Sequence, residues 1–315
     1  MKALVTGISG FVGGYLGEML LDRNIELYGT KLEGEQVLPH INKYANIMDV
    51  DLRDKDRVYS IIEDARPDLV FHLAAQSSVS ASWKRPDITM EINMGGTINL
   101  LDATRAVNPA ARVLIIGSSE QYGRIRAGDV PIGEDMPQNP VNPYAVSKAS
   151  QEMLGKVYAD AYDMDIVMAR PFNHTGPRQQ PIFVIPDFAH RIALMENKTM
   201  DPVLMVGNLD AIRDFSDVRD VVEGYFCLIT KGKRGEAYNI GSGKGFSIRE
   251  ILKKLLEMSS VDIEVVMDQN RLRPSDTPIL ICDNTKIKTQ VGWQPRIQLD
   301  KTLSDVLEYF RQNIA

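Results

Sequence analysis

Tyr144 and Lys148 stand four residues apart in YAVSK, at the entry to a long helical segment. That spacing puts both side chains on one helix face. A lysine ammonium near a phenol favours the phenolate and would lower the tyrosine pKa toward neutrality, which proton transfer at a carbonyl or alcohol requires. A solvated Tyr–Lys pair on a surface helix has the same spelling, and the pentapeptide alone does not choose. Upstream, GSSEQYG (117–123) follows an apolar run and sets Ser118, Ser119 and Glu120 at the carboxyl end of a predicted strand. A hydroxyl there could hydrogen-bond a substrate carbonyl beside Tyr144, although serines also cap turns with no further duty.

A second chemistry is phosphate binding. TGISGFVG places Gly7, Gly10 and Gly13 in a G-x-x-G-x-x-G pattern directly after the first apolar run. Glycines let a phosphate approach the backbone, and the following helix N-terminus, at Phe11 and Val12, offers free N–H groups. The spacing departs from the G-x-G-x-x-G dinucleotide fingerprint. Glycines at 7, 10, 13 and 14 and Glu18 also break the apolar core that a cleaved signal segment would need. Further along, VGNLDAIRDFSDVRD (206–220) offers Asn208 and Arg213, and LRPSD (272–276) offers Arg273 and Asp276. Two arginines from separate segments can grip a diphosphate, and a carboxylate can accept from a base edge or a ribose hydroxyl. Surface ion pairs are the plainer reading of either stretch alone.

These groups need a scaffold, and the chain reads as one. Short aliphatic runs at 2–6, 25–30, 46–50, 68–74, 112–118 and 165–171 alternate with helix-like stretches at 11–22, 54–65, 87–107 and 143–162. This alternation predicts an α/β fold, a doubly wound parallel sheet with helices on both faces. Ligands of such sheets sit beyond the carboxyl ends of the strands, where the motifs above fall. After Pro171 the rhythm changes, with one clear helix at 185–197, a sheet-like run at 236–241, a helix at 247–258, a strand-like 263–267 and two terminal helices. The expected division is a dinucleotide-binding domain of 1–172 plus 217–242, and a smaller α/β substrate lobe of 173–216 plus 243–315.

Composition narrows the partners. The chain of 315 residues carries 36 basic and 42 acidic residues, a net charge of −6, with no basic stripe, so nucleic acid is not an expected ligand. No apolar run approaches the length of a membrane span. Two distant cysteines, Cys227 and Cys282, and four histidines in no ligand pattern predict a reducing, cytoplasmic setting and no metal.

Taken together, TGISGFVG, FHLAAQSSV, GSSEQYG, YAVSK and RPFNHTGPRQ resemble the extended short-chain dehydrogenase/reductase family over essentially the whole chain. The resemblance implies a Rossmann-type fold and a catalytic set of Ser118, Tyr144 and Lys148: tyrosine passes the proton, lysine lowers its pKa and holds the nicotinamide ribose, serine polarises the carbonyl. It further implies that Asp51 and Leu52 touch the adenine side, that Leu73, Ala74, Ala75 and Gln76 line the cofactor, and that Pro171 to His174 lie near the nicotinamide. Asn93 matches a structural position, and His72 and His174 match packing or loop positions rather than bases. Ser119, Asn173, Phe183 and Val184 match substrate contacts. The RDF-DVRD and RPS-D stretches resemble those of GDP-sugar enzymes. Within that group the similarity is to reduction of GDP-4-keto-6-deoxy-mannose to GDP-rhamnose.

The alternative within the family is 4,6-dehydration of GDP-mannose, or another nucleotide-sugar epimerase or dehydratase reaction. Glu120 matches the dehydratase proton-abstracting glutamate and leaves elimination open. Against it, GFVG replaces a Gln-Asp turn, the chain is short, and RDFSDVRD lacks Trp-Gly after Arg-Asp. Ser118 where dehydratases carry threonine points the same way, though weakly. A catalytically silent NAD(P)-binding scaffold or sensor is the reading outside enzymology. For the cofactor, the second strand ends GTKLEGE: Thr30 and Lys31 suit a 2′-phosphate, while Glu33 would suit the free ribose of NAD. NADPH is expected, with NADH tolerated. The resemblance also implies a homodimer, paired through the helices at 87–107 and 143–162.

Overall fold

In the computed structural model the described residues are 1–269 and 277–314. The chain opens by strict alternation: β1 (Lys2–Thr6), α1 (Phe11–Asp22), β2 (Glu26–Lys31), α2 (Pro39–Tyr44), β3 (Asn46–Asp49), α3 (Lys55–Ala65) and β4 (Leu69–His72). Two short helices follow, α4 (Val79–Lys84) and α5 (Pro86–Met90), then a π-helical turn (Glu91–Gly95), α6 (Gly96–Val107), β5 (Arg112–Ile116), α7 (Pro143–Ala161) and β6 (Ile166–Pro171). The remainder runs β7 (Asn173–Thr175), α8 (Val184–Glu196), β8 (Val203–Val206), β9 (Ile212–Asp217), α9 (Val218–Lys231) and β10 (Ala237–Ile240). It ends with β11 (Gly245–Ser247), α10 (Ile248–Glu257), β12 (Glu264–Met267), β13 (Ile279–Leu280), α11 (Thr285–Val291) and α12 (Leu299–Gln312).

Seven parallel strands form the main sheet in the order β10-β6-β5-β4-β1-β2-β3. Its central strands are apolar on both faces because both faces are covered. One face packs Leu16, Leu20, Tyr225 and Leu228 from α1 and α9 against the sheet. The other packs Ile62, Leu101 and Ala159 from α3, α6 and α7. The strand order reverses between β1 and β4, and this opens a crevice at the carboxyl ends of those strands. The architecture is the Rossmann-type doubly wound sheet that the sequence predicts.

A separate core joins α8, α10 and α12 through Phe188, Ile192, Leu252, Leu255, Leu303 and Phe310. Beside it β11, β9 and β13 pair side by side, β7 pairs with β9, and β12 pairs with β8. Asp217 links the two halves: its carboxylate caps α9 at the Arg219 N–H, at 2.9 Å, and accepts the Thr302 hydroxyl of α12 at 2.7 Å. The chain departs from its sequence pattern at several points, of which three matter most. The expected helix over 87–107 is α5, a π turn and α6. The helix α9 was not marked by the pattern. Ile287, Val291 and Trp293 pack with the main-sheet core although they follow residue 243.

Candidate active site

The catalytic candidates converge where β5 ends and α7 begins. Asn142 caps α7 by accepting the Ala145 N–H at 2.8 Å, and Pro143 occupies the first helical position, which needs no donor. Tyr144 therefore leaves the first turn and Lys148 the second, on one face. Ser118 caps the tight turn Ser119–Tyr122 through its hydroxyl, which accepts the Glu120 N–H at 3.2 Å. The same hydroxyl lies close enough to the Tyr144 phenol to lower its pKa. Glu120 lies close enough for its charge to act on that phenol, and Asn142 Nδ2 holds its carboxylate at 3.1 Å. The buried Lys148 ammonium donates to the Ile116 carbonyl at 2.8 Å, at the last residue of β5.

The electrostatics correct one expectation. Tyr144 is raised to about 12, first by burial, which the Ser118 hydroxyl opposes and the Glu120 charge reinforces. Lys148 is drawn down to about 7 by burial alone. Its spacing from Tyr144 is as predicted, but desolvation outweighs any pull it exerts on the phenol. With its pKa raised, the phenol keeps its proton at neutral pH.

The glycine turn fits a dinucleotide. Gly7 has φ +73°, and a Cβ there would press on the Ala74 backbone at 3.0 Å; a Cβ on Gly13 would overlap the Gly7 carbonyl oxygen. Gly10 caps α1, so the first N–H groups of Phe11 and Val12 face outward from the helix start. Thr6 ties this turn to the next strand: its hydroxyl accepts the Ala74 N–H at 3.1 Å and meets His72 Nδ1 at 2.9 Å. His72 is a packing residue, its second nitrogen 2.9 Å from Thr97 Oγ1. Leu73 and Ala75 flank Ala74 at the crevice. Gln76 is fixed by Asn93, which accepts its N–H at 2.8 Å and donates to Ser147 Oγ at 2.8 Å. Phe11 stacks on His174 at 6.4 Å, bringing the Pro171–His174 loop over the glycine turn.

At the carboxyl ends of β2 and β3, Lys31 pairs with Asp49 and Asp51 is gripped by Arg53, at 2.6 Å to one guanidinium nitrogen. The Arg53 hydrogen bond holds the Asp51 carboxyl below its ordinary range. Leu52 is buried against Gly96. Glu33 is exposed, whereas Glu35, which the sequence did not single out, accepts the Ser9 hydroxyl of the glycine turn at 2.5 Å.

The substrate-side candidates other than Ser119 lie on the second half. Asn173 pairs in register with Phe215, two residues from Arg213. Arg213 Nη1 donates to the Ile212 carbonyl at 2.9 Å. Asp214 is not a ligand group: four donors, from Ser242, Gly243 and Cys282, surround its buried carboxylate. Phe183 caps α8 and is exposed, Val184 packs inward, and Asn208 accepts the Asp210 N–H in an exposed turn. Ser119 is buried beside Ser118. Arg273 and Asp276 lie outside the described residues. The next residue, Thr277, donates to the Gly123 carbonyl at 3.2 Å, and Leu280 pairs with Arg213. Residues 277–280 thus run from the Ser118 turn to Arg213. Sequence reasoning missed Gln121, Glu152 and Arg170, a buried polar group behind that turn.

The chain is similar to known proteins over almost its whole length. Residues 4–306 match the family model described as GDP-mannose 4,6 dehydratase. The chain is 33% identical to the GDP-6-deoxy-D-mannose reductase of Pseudomonas aeruginosa, over 99% of this chain and 98% of that one. A solved structure described as RMD from Pseudomonas aeruginosa complexed with NADPH superposes with a TM-score of 0.89 at 32% identity, covering 99% of both chains. The Thermus thermophilus UDP-glucose 4-epimerase solved with NAD gives 0.88 at 30% identity, covering 100% of both.

Proposed function

The chain belongs to the GDP-mannose 4,6-dehydratase family of extended short-chain dehydrogenase/reductases, and from that premise we propose that it reduces the 4-keto group of GDP-4-keto-6-deoxy-mannose to GDP-rhamnose. The observation that carries this reading is the 33% identity with a GDP-6-deoxy-D-mannose reductase over 99% of the chain, with Tyr144 and Lys148 on one face of α7 beside the Ser118 turn. Tyr144 gives its proton to the oxygen at position 4, and Ser118 holds the charge that develops there. Lys148, on the same helix face, faces the phenolate that results. A bound reduced nicotinamide supplies the hydride. Gly7, Gly10 and Gly13, with the N–H groups of Phe11 and Val12, would hold its diphosphate. Lys31 and the NADPH relative favour NADPH, with NADH tolerated.

Arg213, Asn173 and Asn208, with Arg273 and Asp276, are the groups we assign to the GDP-sugar, whose remote diphosphate supplies binding energy away from the reacting carbon. A second reading rests on Glu120: placed beside Tyr144, it could remove a proton during 4,6-dehydration of GDP-mannose. The two separate cleanly. Purified protein given GDP-4-keto-6-deoxy-mannose should consume one NADPH per sugar and yield a GDP-6-deoxyhexose by mass. Loss of water from GDP-mannose with catalytic NADP, the keto sugar untouched, would establish the dehydratase instead. A silent scaffold would do neither.

The division into 1–172 with 217–242 and 173–216 with 243–315 is proposed on the separate core of α8, α10 and α12, with α11 crossing back to the main sheet. A homodimer through α7 is proposed on its exposed apolar stripe. Two free cysteines support a cytoplasmic setting, and no helix among the described residues is long and apolar enough to cross a membrane.

A further inference from the structure

Tyr144, Lys148 and Glu152 follow one another at intervals of four on α7, so one helix face carries the proton donor, the ammonium and a carboxylate. Glu152 is buried, and each of its oxygens accepts two donors. Oε2 accepts Gln121 Nε2 at 2.8 Å and Arg170 Nε at 2.8 Å; Oε1 accepts Arg170 Nη2 at 2.5 Å and Gln138 Nε2 at 2.7 Å. Its orientation is over-determined.

The fully buried Gln121 passes that orientation on. Its Nε2 is spent on Glu152, and its Oε1 accepts the Ser118 N–H at 2.7 Å. The far end of the same turn is tied to the same group: Arg170 Nη1 donates to the Tyr122 hydroxyl at 2.7 Å, which donates to Asn239 Oδ1 at 2.7 Å. Gly117 leaves the space this requires, since a Cβ there would overlap Gln121 Oε1. A buried ion pair is seldom the cheapest way to stabilise a core, because well-packed apolar residues do as well or better. Here the pair sits behind the turn that carries Ser118 and on the helix that carries Tyr144.

We propose that Glu152, acting through Gln121, is a positioning residue that sets the distance between the Ser118 hydroxyl and the Tyr144–Lys148 face. The kinetic part rests on the catalytic roles proposed above. The Ser118 hydroxyl and the Tyr144 phenol belong to two elements, the 118–122 turn and α7. A displacement of about 1 Å there costs on the order of a hundredfold in rate while leaving remote binding contacts intact.

Gln121→Met keeps the volume and the Glu152–Arg170 pair, and removes only the link. Its kcat should fall by at least about tenfold while KM for the sugar nucleotide and for NADPH stays within about twofold. Glu152→Gln should lower kcat on its own, and the double variant should lose less than the sum of the two single losses, because both act through the Gln121 link. If Glu152→Gln fails to fold, Gln121→Met alone decides. A separate arm needs no turnover: amide exchange at Ser118 should speed up by about tenfold or more in Gln121→Met, with the amides of α7 unchanged. An unchanged kcat, a loss confined to KM, or a Ser118 amide that stays protected would overturn the proposal. If the native protein turns over neither GDP-4-keto-6-deoxy-mannose nor GDP-mannose, the functional reading has failed, and the exchange arm still judges the positioning.

Discussion

Lys148 shows what residue spacing reveals and what it hides. Its distance from Tyr144 in sequence was enough to pair them on a helix face, but burial set their protonation, and burial does not show in a pentapeptide. With its folded pKa drawn down to about 7, the Lys148 charge is present below that pH and lost as pH rises through it. Tyr144, near 12, keeps its proton throughout the working range. Because kcat/KM reports the free enzyme, it should decline on the alkaline side from about pH 7. A profile flat to pH 9 would show that the ammonium is dispensable or better stabilised than its burial implies. Cofactor choice belongs at the same scale. Lys31 is tied to Asp49, so a 2′-phosphate must compete with that carboxylate, and Glu35 stands nearby on Ser9. Lys31→Glu should cut the NADPH/NADH ratio of kcat/KM by about tenfold, and Asp49→Asn should raise it. No change in either variant would take Lys31 out of the pocket.

Among the elements, the main-sheet strands were legible because each is a short run rich in aliphatic residues between longer helix-like stretches. The helix α9 was not, because β9 passes into it at Asp217 with no glycine or proline between. The π turn was hidden for another reason: it centres on Asn93, whose bonds to Gln76 and Ser147 are long-range. His72 likewise reads as a strand residue but joins β1, β4, α6 and α7, with Thr6 and Thr97 on its two nitrogens and Gln151 beyond. Burial, with the Lys148 charge adding to it, lowers its pKa from 6.5 to about 3. Above pH 6.5 neither folded nor unfolded chain protonates this ring, and its contribution is complete. As pH falls from 6.5 toward 3 only the unfolded chain takes the proton, so stability drops by up to about 1.4 kcal/mol per pH unit. Urea midpoints at pH 7, 5.5 and 4 should show this slope, and His72→Asn should flatten it while lowering stability at pH 7. Equal slopes in both proteins would mean that other groups govern the acid limb.

At the scale of the whole molecule, α7 has two working faces. The inner one carries Tyr144, Lys148 and Glu152; the outer one exposes Val146 at 40%, Met153 at 58% and Val157 at 56%, spaced seven and four apart on a single stripe. Trp83 of α4, which packs beside α7, and Tyr162 at the end of α7 are also exposed, at 59% and 48%. Large apolar side chains gathered on one helix face are poorly matched to water, and a second copy would cover them with the same stripe in a two-fold contact. Such a contact would brace the helix that holds the proposed reacting groups. Met153→Glu is the sharpest probe, because Met153 lies mid-stripe and tolerates any polar residue if it faces solvent. Burying that carboxylate twice across a two-fold axis costs several kcal/mol, enough to shift a dimer to monomers at micromolar concentration. Sedimentation should therefore find a dimer for the native chain and a monomer for Met153→Glu, with unchanged far-ultraviolet circular dichroism. A native monomer would remove the proposed dimer altogether, and a Met153→Glu dimer would move its interface off α7.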